Sequence, residues 1–191
     1  MTSPKLIGLY STAPRSGKST VASYLIEHNF HTVSFAAPLK LMMRTFLMSY
    51  GYGVEEISYL LSDGKHEQIP GIRTTPRHLL QTLGTEWGRS CIHPEVWLMC
   101  WEQNAKRYLD NGFSVVVDDM RFLNEAELVR SLGGELWHVH CPEAVRSTTH
   151  ASEGALDDFP YFDRRLVNDG SLLDLYSRVK DCFPQTHPSL K

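Results

Sequence analysis

Three short runs of successive apolar residues, each closed by turn-forming or charged residues, dominate the hydrophobic pattern: Leu6–Tyr10, Ser114–Val117 and residues 136–140. Runs that are apolar at consecutive rather than alternate positions predict strands buried on both faces. Two weaker runs, 31–35 and 165–167, predict two more strands. Between them the spacing becomes helical, over 16–28, 38–49, 125–132 and 171–179. Gly133-Gly134 supplies a stop for the third of these, and Ser171 a cap for the fourth, whose Leu172, Leu173, Leu175 and Tyr176 share a face. Strands alternating with helices predict a parallel sheet covered on both sides. Residues 37–111 break the alternation, with helical periodicity over 54–61, 75–89 and 94–109 and no convincing strand. Pro76 fits the first helical position of the second, and the stretches 51–53 and 62–71 read as loops. An insertion of that length is no simple crossover and predicts a helical lobe.

Composition narrows the classes. With 191 residues, 42% hydrophobic and 21% charged, the chain can bury a core without special staples. Its net charge of −3 argues against stable nucleic-acid binding, which needs a basic face. Cys91, Cys100, Cys141 and Cys182 show no C-x-x-C spacing and sit among apolar residues, so they read as reduced core thiols in a cytoplasmic protein. The first residues lack the basic-then-apolar pattern of a signal peptide and no apolar stretch reaches membrane-spanning length, so neither secretion nor membrane insertion is expected, and residues 184–188 read as a tail.

The chemistry starts directly after the first strand. Thr12-Ala13-Pro14-Arg15-Ser16-Gly17-Lys18-Ser19-Thr20 follows an apolar run and opens a helix, the context in which G-x-x-x-x-G-K-[ST] forms a phosphate-binding P-loop. Backbone N–H groups and the helix N-terminus would bind phosphates, Lys18 would neutralise terminal phosphate charge, and Ser19 would hold Mg²⁺. Thr12 stands where the pattern has its first glycine, which predicts a strained entry to the turn. A parallel sheet binds ligands beyond the carboxyl ends of its strands, so Asp118-Asp119-Met120-Arg121 is the second candidate, with carboxylates suited to Mg²⁺ or its waters and a guanidinium suited to an anion. Lys40, Arg44, Arg73, Arg77 and Arg89 on the helical stretch could grip a substrate phosphate, while Trp87, Trp97, Trp101 and Trp137 read as core residues, any of which could instead stack on a base. Residues 146–153 follow the 136–140 strand, where a lid is expected. His138 and His140 share a strand face but lack a third ligand for a zinc site.

These blocks together resemble the bacteriophage-type deoxynucleoside monophosphate kinases, a branch of the P-loop nucleoside monophosphate kinases. The resemblance is carried by 14–18, 35–40, 77–86, Asp119-Met120-Arg121 through Glu125, 149–153 and Val167-Asn168-Asp169-Gly170-Ser171-Leu172. It implies an α/β P-loop three-layer fold with a five-stranded, mostly parallel sheet and a helical substrate-binding insertion. A single domain would have its core at 1–36 and 112–182, an acceptor lobe at about 37–111 and a lid at about 143–158. It also implies transfer of the ATP γ-phosphoryl group to a deoxynucleoside monophosphate. Arg15, Ser16, Gly17, Lys18, Ser19 and Thr20 would bind ATP and Mg²⁺. Lys40, Arg77, Gly84, Thr85, Trp97, Asp119, Arg121 and Glu125 would line the acceptor site, with His150 and Glu153 near the lid and Lys18, Asp119 and Arg121 catalytic. The resemblance is thin between residues 38 and 77, so base choice stays open, as does a homodimer. A phage-encoded enzyme of this kind would work in the host cytoplasm.

Two other readings stand beside it. A P-loop kinase could act on dephospho-coenzyme A, whose kinases share the 168–172 pattern, or on a modified base in DNA. A nucleotide-dependent switch would normally carry N-K-x-D and D-x-x-G, and neither string occurs.

Overall fold

The computed structural model describes residues 4–144, 156 and 159–183. The expected lid, with Arg146, His150 and Glu153, and the tail at 184–188 lie outside them. The described chain divides into two compact units, residues 1–34 with 104–191 (unit 1) and Phe35–Gln103 (unit 2).

Unit 1 is built on five strands, β1 (Leu6–Tyr10), β2 (Phe30–Thr32), β3 (Ser114–Val117), β4 (Glu135–His140) and β5 (Arg164–Val167), in the spatial order β2-β3-β1-β4-β5. Every pairing is parallel, so the sheet expected to be mostly parallel is parallel throughout the described residues. The three strong apolar runs are its three central strands, which explains their pattern: all five residues of β1 are buried. Ile7 and Leu9 pack with Val21, Leu25, Leu175 and Val179 of α1 (Lys18–Glu27) and α7 (Leu172–Asp181). On the other face, a side chain at Gly8 would meet Leu136, Met120 and Val129, the last of these on α6 (Leu123–Ser131). Successive strand residues point to opposite faces, so the same strand contributes to two helical layers.

Both edge strands are weaker. β2 is three residues long with only Phe30 buried, and it lies at Phe30–Thr32 rather than at 31–35. Val33 and Phe35 are buried, and the Val33 N–H donates to the Val116 carbonyl at 3.0 Å just beyond the strand.

Unit 2 holds α2 (Ala37–Tyr50), α3 (Val54–Leu60), α4 (Pro76–Thr82), a π-helix at Leu83–Ile92 and the first part of α5 (Val96–Asp110), with no strand among its residues. Its core gathers Met43, Leu47, Ile57, Leu60 and Ile69, with Leu79, Leu80 and Leu83 against them. Thr75 caps α4 by accepting the His78 N–H at 3.1 Å. The expected single helix over 75–89 is therefore α4 followed by ten residues of π-helix, a rare widening that often marks functional segments. Its seat is visible. The Trp97 indole N–H donates to the Gly84 carbonyl at 2.8 Å, and its ring lies where a Gly88 side chain would stand, 2.2 Å from an added Cβ. Gly88→Ala must displace a 5%-exposed indole. The expected cost is about 3 kcal/mol, the upper part of the usual overpacking range. That corresponds to a fall of roughly 6–12 °C in Tm by calorimetry for a chain of this size; an unchanged Tm would contradict the packing.

The cysteines depart from expectation. All four are free, but Cys91 is exposed and the other three are half-buried, so none is a core thiol. Burial nonetheless pushes the Cys182 thiol pKa up, and its Sγ donates to the Arg178 carbonyl at 3.3 Å. Among the described residues no helix is long and apolar enough to cross a membrane.

Candidate active site

β1 is the central strand, and the chain moves from it to β2 on one side before returning through β4 and β5 on the other. Its carboxyl end is thus the switch point at which such sheets bind ligands. The loop there is shaped by two residues with left-handed backbone, Arg15 at φ 59° and Gly17 at φ 100°. Alternation of handedness along successive residues turns their N–H groups into one concavity that suits an anion. Thr12 has no positive φ, so the strain expected from its replacing a glycine is absent at Thr12 and falls instead on Arg15. Ser11 closes the entry, its hydroxyl donating to the Ala13 carbonyl at 3.0 Å.

Gly17 is then the N-cap of the ten-residue α1, with Lys18 its first residue and Ser19 exposed in its first turn. The helix dipole adds a partial positive charge at this end. The Ser16 hydroxyl is buried, with the residue 2% exposed, and finds no hydrogen-bond partner among the described residues. A buried hydroxyl left so costs about 1–3 kcal/mol, which an incoming oxygen ligand relieves. The turned N–H groups and the buried Ser16 hydroxyl therefore suit a polyphosphate.

Asp118 and Asp119 follow β3, the strand paired directly with β1. The register sets Gly8 beside Val117, so Asp118 and Asp119 leave the sheet at the same end as the loop that follows β1. Both carboxylates are half-buried, and Arg121 is exposed. Glu125 is turned inward instead: 5% exposed, it accepts the Arg121 N–H at 2.6 Å and the Phe122 N–H at 3.1 Å through one carboxylate oxygen. It thus closes the turn between β3 and α6 and caps the helix.

On unit 2, Lys40 is exposed on α2 and Arg77 half-buried in the first turn of α4, its N–H donating to the Lys65 carbonyl at 2.9 Å. Gly84 and Thr85 lie in the π-helix, and a side chain at Gly84 would touch Leu39 at 3.3 Å. Trp97 is buried and bonded to Gly84, whereas Trp87 is 44% exposed. Sequence reasoning left Asn168 off the site, although it follows a strand end. Its side-chain amide donates to the Ser16 carbonyl at 3.0 Å, inside the loop that follows β1.

This geometry has relatives. The family model described as deoxynucleotide monophosphate kinase matches residues 55–179. A protein of Acanthamoeba polyphaga mimivirus, named as a deoxynucleotide monophosphate kinase, is 32% identical over 194 residues, covering 93% of this chain and 95% of its own. The chain belongs to the deoxynucleotide monophosphate kinase family. Within that family the deoxynucleoside-5'-monophosphate kinase of Escherichia phage T5 is 36% identical over 87 residues, covering 43% of this chain and 34% of the phage protein. Among solved structures, a Thermus thermophilus protein aligns over 95% of this chain at TM-score 0.53 and 22% identity. A dephospho-CoA kinase from Campylobacter jejuni does so over 95% at 0.53 and 12%. At those identities the structures attest the fold alone. Family membership makes the chain a phosphotransferase with a nucleotide substrate.

Proposed function

We propose that this kinase transfers the γ-phosphoryl group of ATP to the 5'-phosphate of a deoxynucleoside monophosphate, giving ADP and the deoxynucleoside diphosphate. The observation that carries the reading is the left-handed pair Arg15 and Gly17 at the head of α1, an anion-binding turn in a chain of this family. Arg15, Ser16, Gly17, Lys18 and Thr20 hold the ATP phosphates, and Ser19 holds Mg²⁺. When bound, that ion neutralises charge on the terminal phosphates. An acceptor phosphate oxygen attacks the γ-phosphorus while the bond to the β–γ bridging oxygen breaks and its electron pair leaves with ADP. The acceptor oxygen is already an anion, so no strong base is needed, and alignment with charge neutralisation does the catalysis. Lys18 and Arg121 offset the charge, and the Asp119 carboxylate would interact with Mg²⁺ or its bound waters.

Lys40 and Arg77 supply cations for the acceptor phosphate, with Gly84 and Thr85 forming part of its surface. Glu125 fixes the turn that carries Arg121, one of its carboxylate oxygens accepting the Arg121 and Phe122 N–H groups. Trp97 acts likewise through Gly84. Unit 2 serves as the acceptor lobe in this reading.

ADP release over a panel of deoxynucleoside monophosphates, dephospho-coenzyme A and DNA containing modified bases tests the acceptor. Turnover confined to one or more deoxynucleoside monophosphates is expected. Turnover with dephospho-coenzyme A or modified DNA alone would replace this reading with one of the other kinases.

A further inference from the structure

We infer that Asn168 is a positioning residue for the phosphate-binding loop, locking the peptide between Ser16 and Gly17 so that its N–H faces the bound nucleotide; this rests on the ATP-binding reading above. Asn168 lies at the end of the edge strand β5, 152 residues away from Ser16 in sequence. Its own N–H donates to the His140 carbonyl at 2.6 Å, prolonging the β4–β5 ladder by one step, while its side-chain amide donates to the Ser16 carbonyl at 3.0 Å. A trans peptide is planar, with its C=O and N–H pointing in opposite directions. Holding the Ser16 carbonyl toward Asn168 therefore aims the Gly17 N–H the other way. The following peptide is fixed separately, the Gly17 carbonyl accepting the Val21 N–H at 2.9 Å as α1 begins.

Gly17 permits this contact. A Cβ there would come within 2.7 Å of the Asn168 amide nitrogen and 3.3 Å of Leu175, in addition to the strain of φ +100°. The brace is itself held. Arg178 donates to the Val167 carbonyl and pairs with Asp169 at 2.7 Å. Ser171 and Asp174 cap each other's backbone N–H groups at the start of α7. The turn after β5 is a fixed post, and of its side chains Asn168 is the one bonded to the loop.

The test measures ATP affinity by calorimetric titration in the presence of Mg²⁺, with steady-state kinetics alongside. Asn168→Ala is expected to raise the ATP Kd and KM about tenfold, the range of one hydrogen bond, and to leave the acceptor KM within about twofold, a hundredfold-scale loss being reserved for a ligating charge. Asn168→Asp sets an oxygen against the Ser16 carbonyl and is expected to lose more. Asn168→Gln keeps the donor one methylene farther out and is expected to lose less than Asn168→Ala. Ser171→Ala loosens the cap of α7 without removing the Asn168 amide, and should lower Tm while raising the ATP Kd less than Asn168→Ala does. Wild-type ATP affinity in all three Asn168 variants, or an equal loss in Ser171→Ala, would overturn the inference. Failure of the wild type to bind ATP would take down the nucleotide reading itself, and the inference with it.

Discussion

Replacing Lys18 by alanine is expected to reduce kcat about a thousandfold while leaving the fold in place. Lys18 is the first residue of α1, and that helix is held by Val21, Ala22, Tyr24 and Leu25, which face the core. Lys18 is not one of those buried residues. What its removal deletes is a positive charge at the head of α1, whose value grows as charge spreads over the transferring phosphoryl group. Loss of one preorganised charge-stabilising donor commonly costs a hundred- to a thousandfold in kcat, or about 3–4 kcal/mol. ADP release and circular dichroism, followed together, check both halves. Near-normal turnover would remove the loop from the reaction, and a collapsed spectrum would show that Lys18 supports the fold.

A second large effect is expected at Glu125, in stability first and activity second. Its buried carboxylate accepts two backbone N–H groups in the turn that presents Arg121. Hydrogen bonds to a charged group are worth roughly 1.5–3 kcal/mol each, and truncation leaves both donors without that acceptor. Glu125→Ala should therefore lose about 3–5 kcal/mol in urea unfolding at the level of two such bonds. Glu125→Gln, which keeps an acceptor oxygen, should lose about a third of that. Residual activity should fall in the same order. If Glu125→Ala unfolded at the wild-type urea concentration and lost only acceptor affinity, the residue would be a direct substrate contact.

The parts of the fold that sequence displays are those whose physics is local. β1, β3 and β4 are covered on both faces, so each leaves a mainly apolar run, broken in β4 by the buried His138. β2 is an edge strand of three residues in which burial falls away after Phe30, and the neighbouring apolar Val33 and Phe35 pull a pattern-based boundary toward the C-terminus. The π-helix at Leu83–Ile92 has no periodicity of its own to betray it. Only the weak helix formers Gly84 and Gly88, four residues apart, hint that the helix there is shaped from outside, by Trp97.

The candidate site divides in the same way. The P-loop was legible because strand, turn and helix are contiguous, yet its strain sits at Arg15 rather than at the unusual Thr12. Which residue touches which across long separations was not. Family resemblance gives Glu125 as an acceptor contact; its structural tie, one carboxylate oxygen accepting the Arg121 and Phe122 N–H groups of its own turn, is not visible in the sequence. Asn168 offered only its position after a strand; its partner is set by strand order, since β5 and the loop after β1 are brought together by a sheet that local sequence does not describe.

The most direct test of the account follows the phosphoryl group itself. ATP radiolabelled in its γ-phosphate is incubated with each deoxynucleoside monophosphate and Mg²⁺, and the products are separated by chromatography. Label should enter the deoxynucleoside diphosphate in step with ADP formation, and should fail to do so with Lys18→Ala. Label released only as inorganic phosphate, at a rate indifferent to any deoxynucleoside monophosphate, would contradict it.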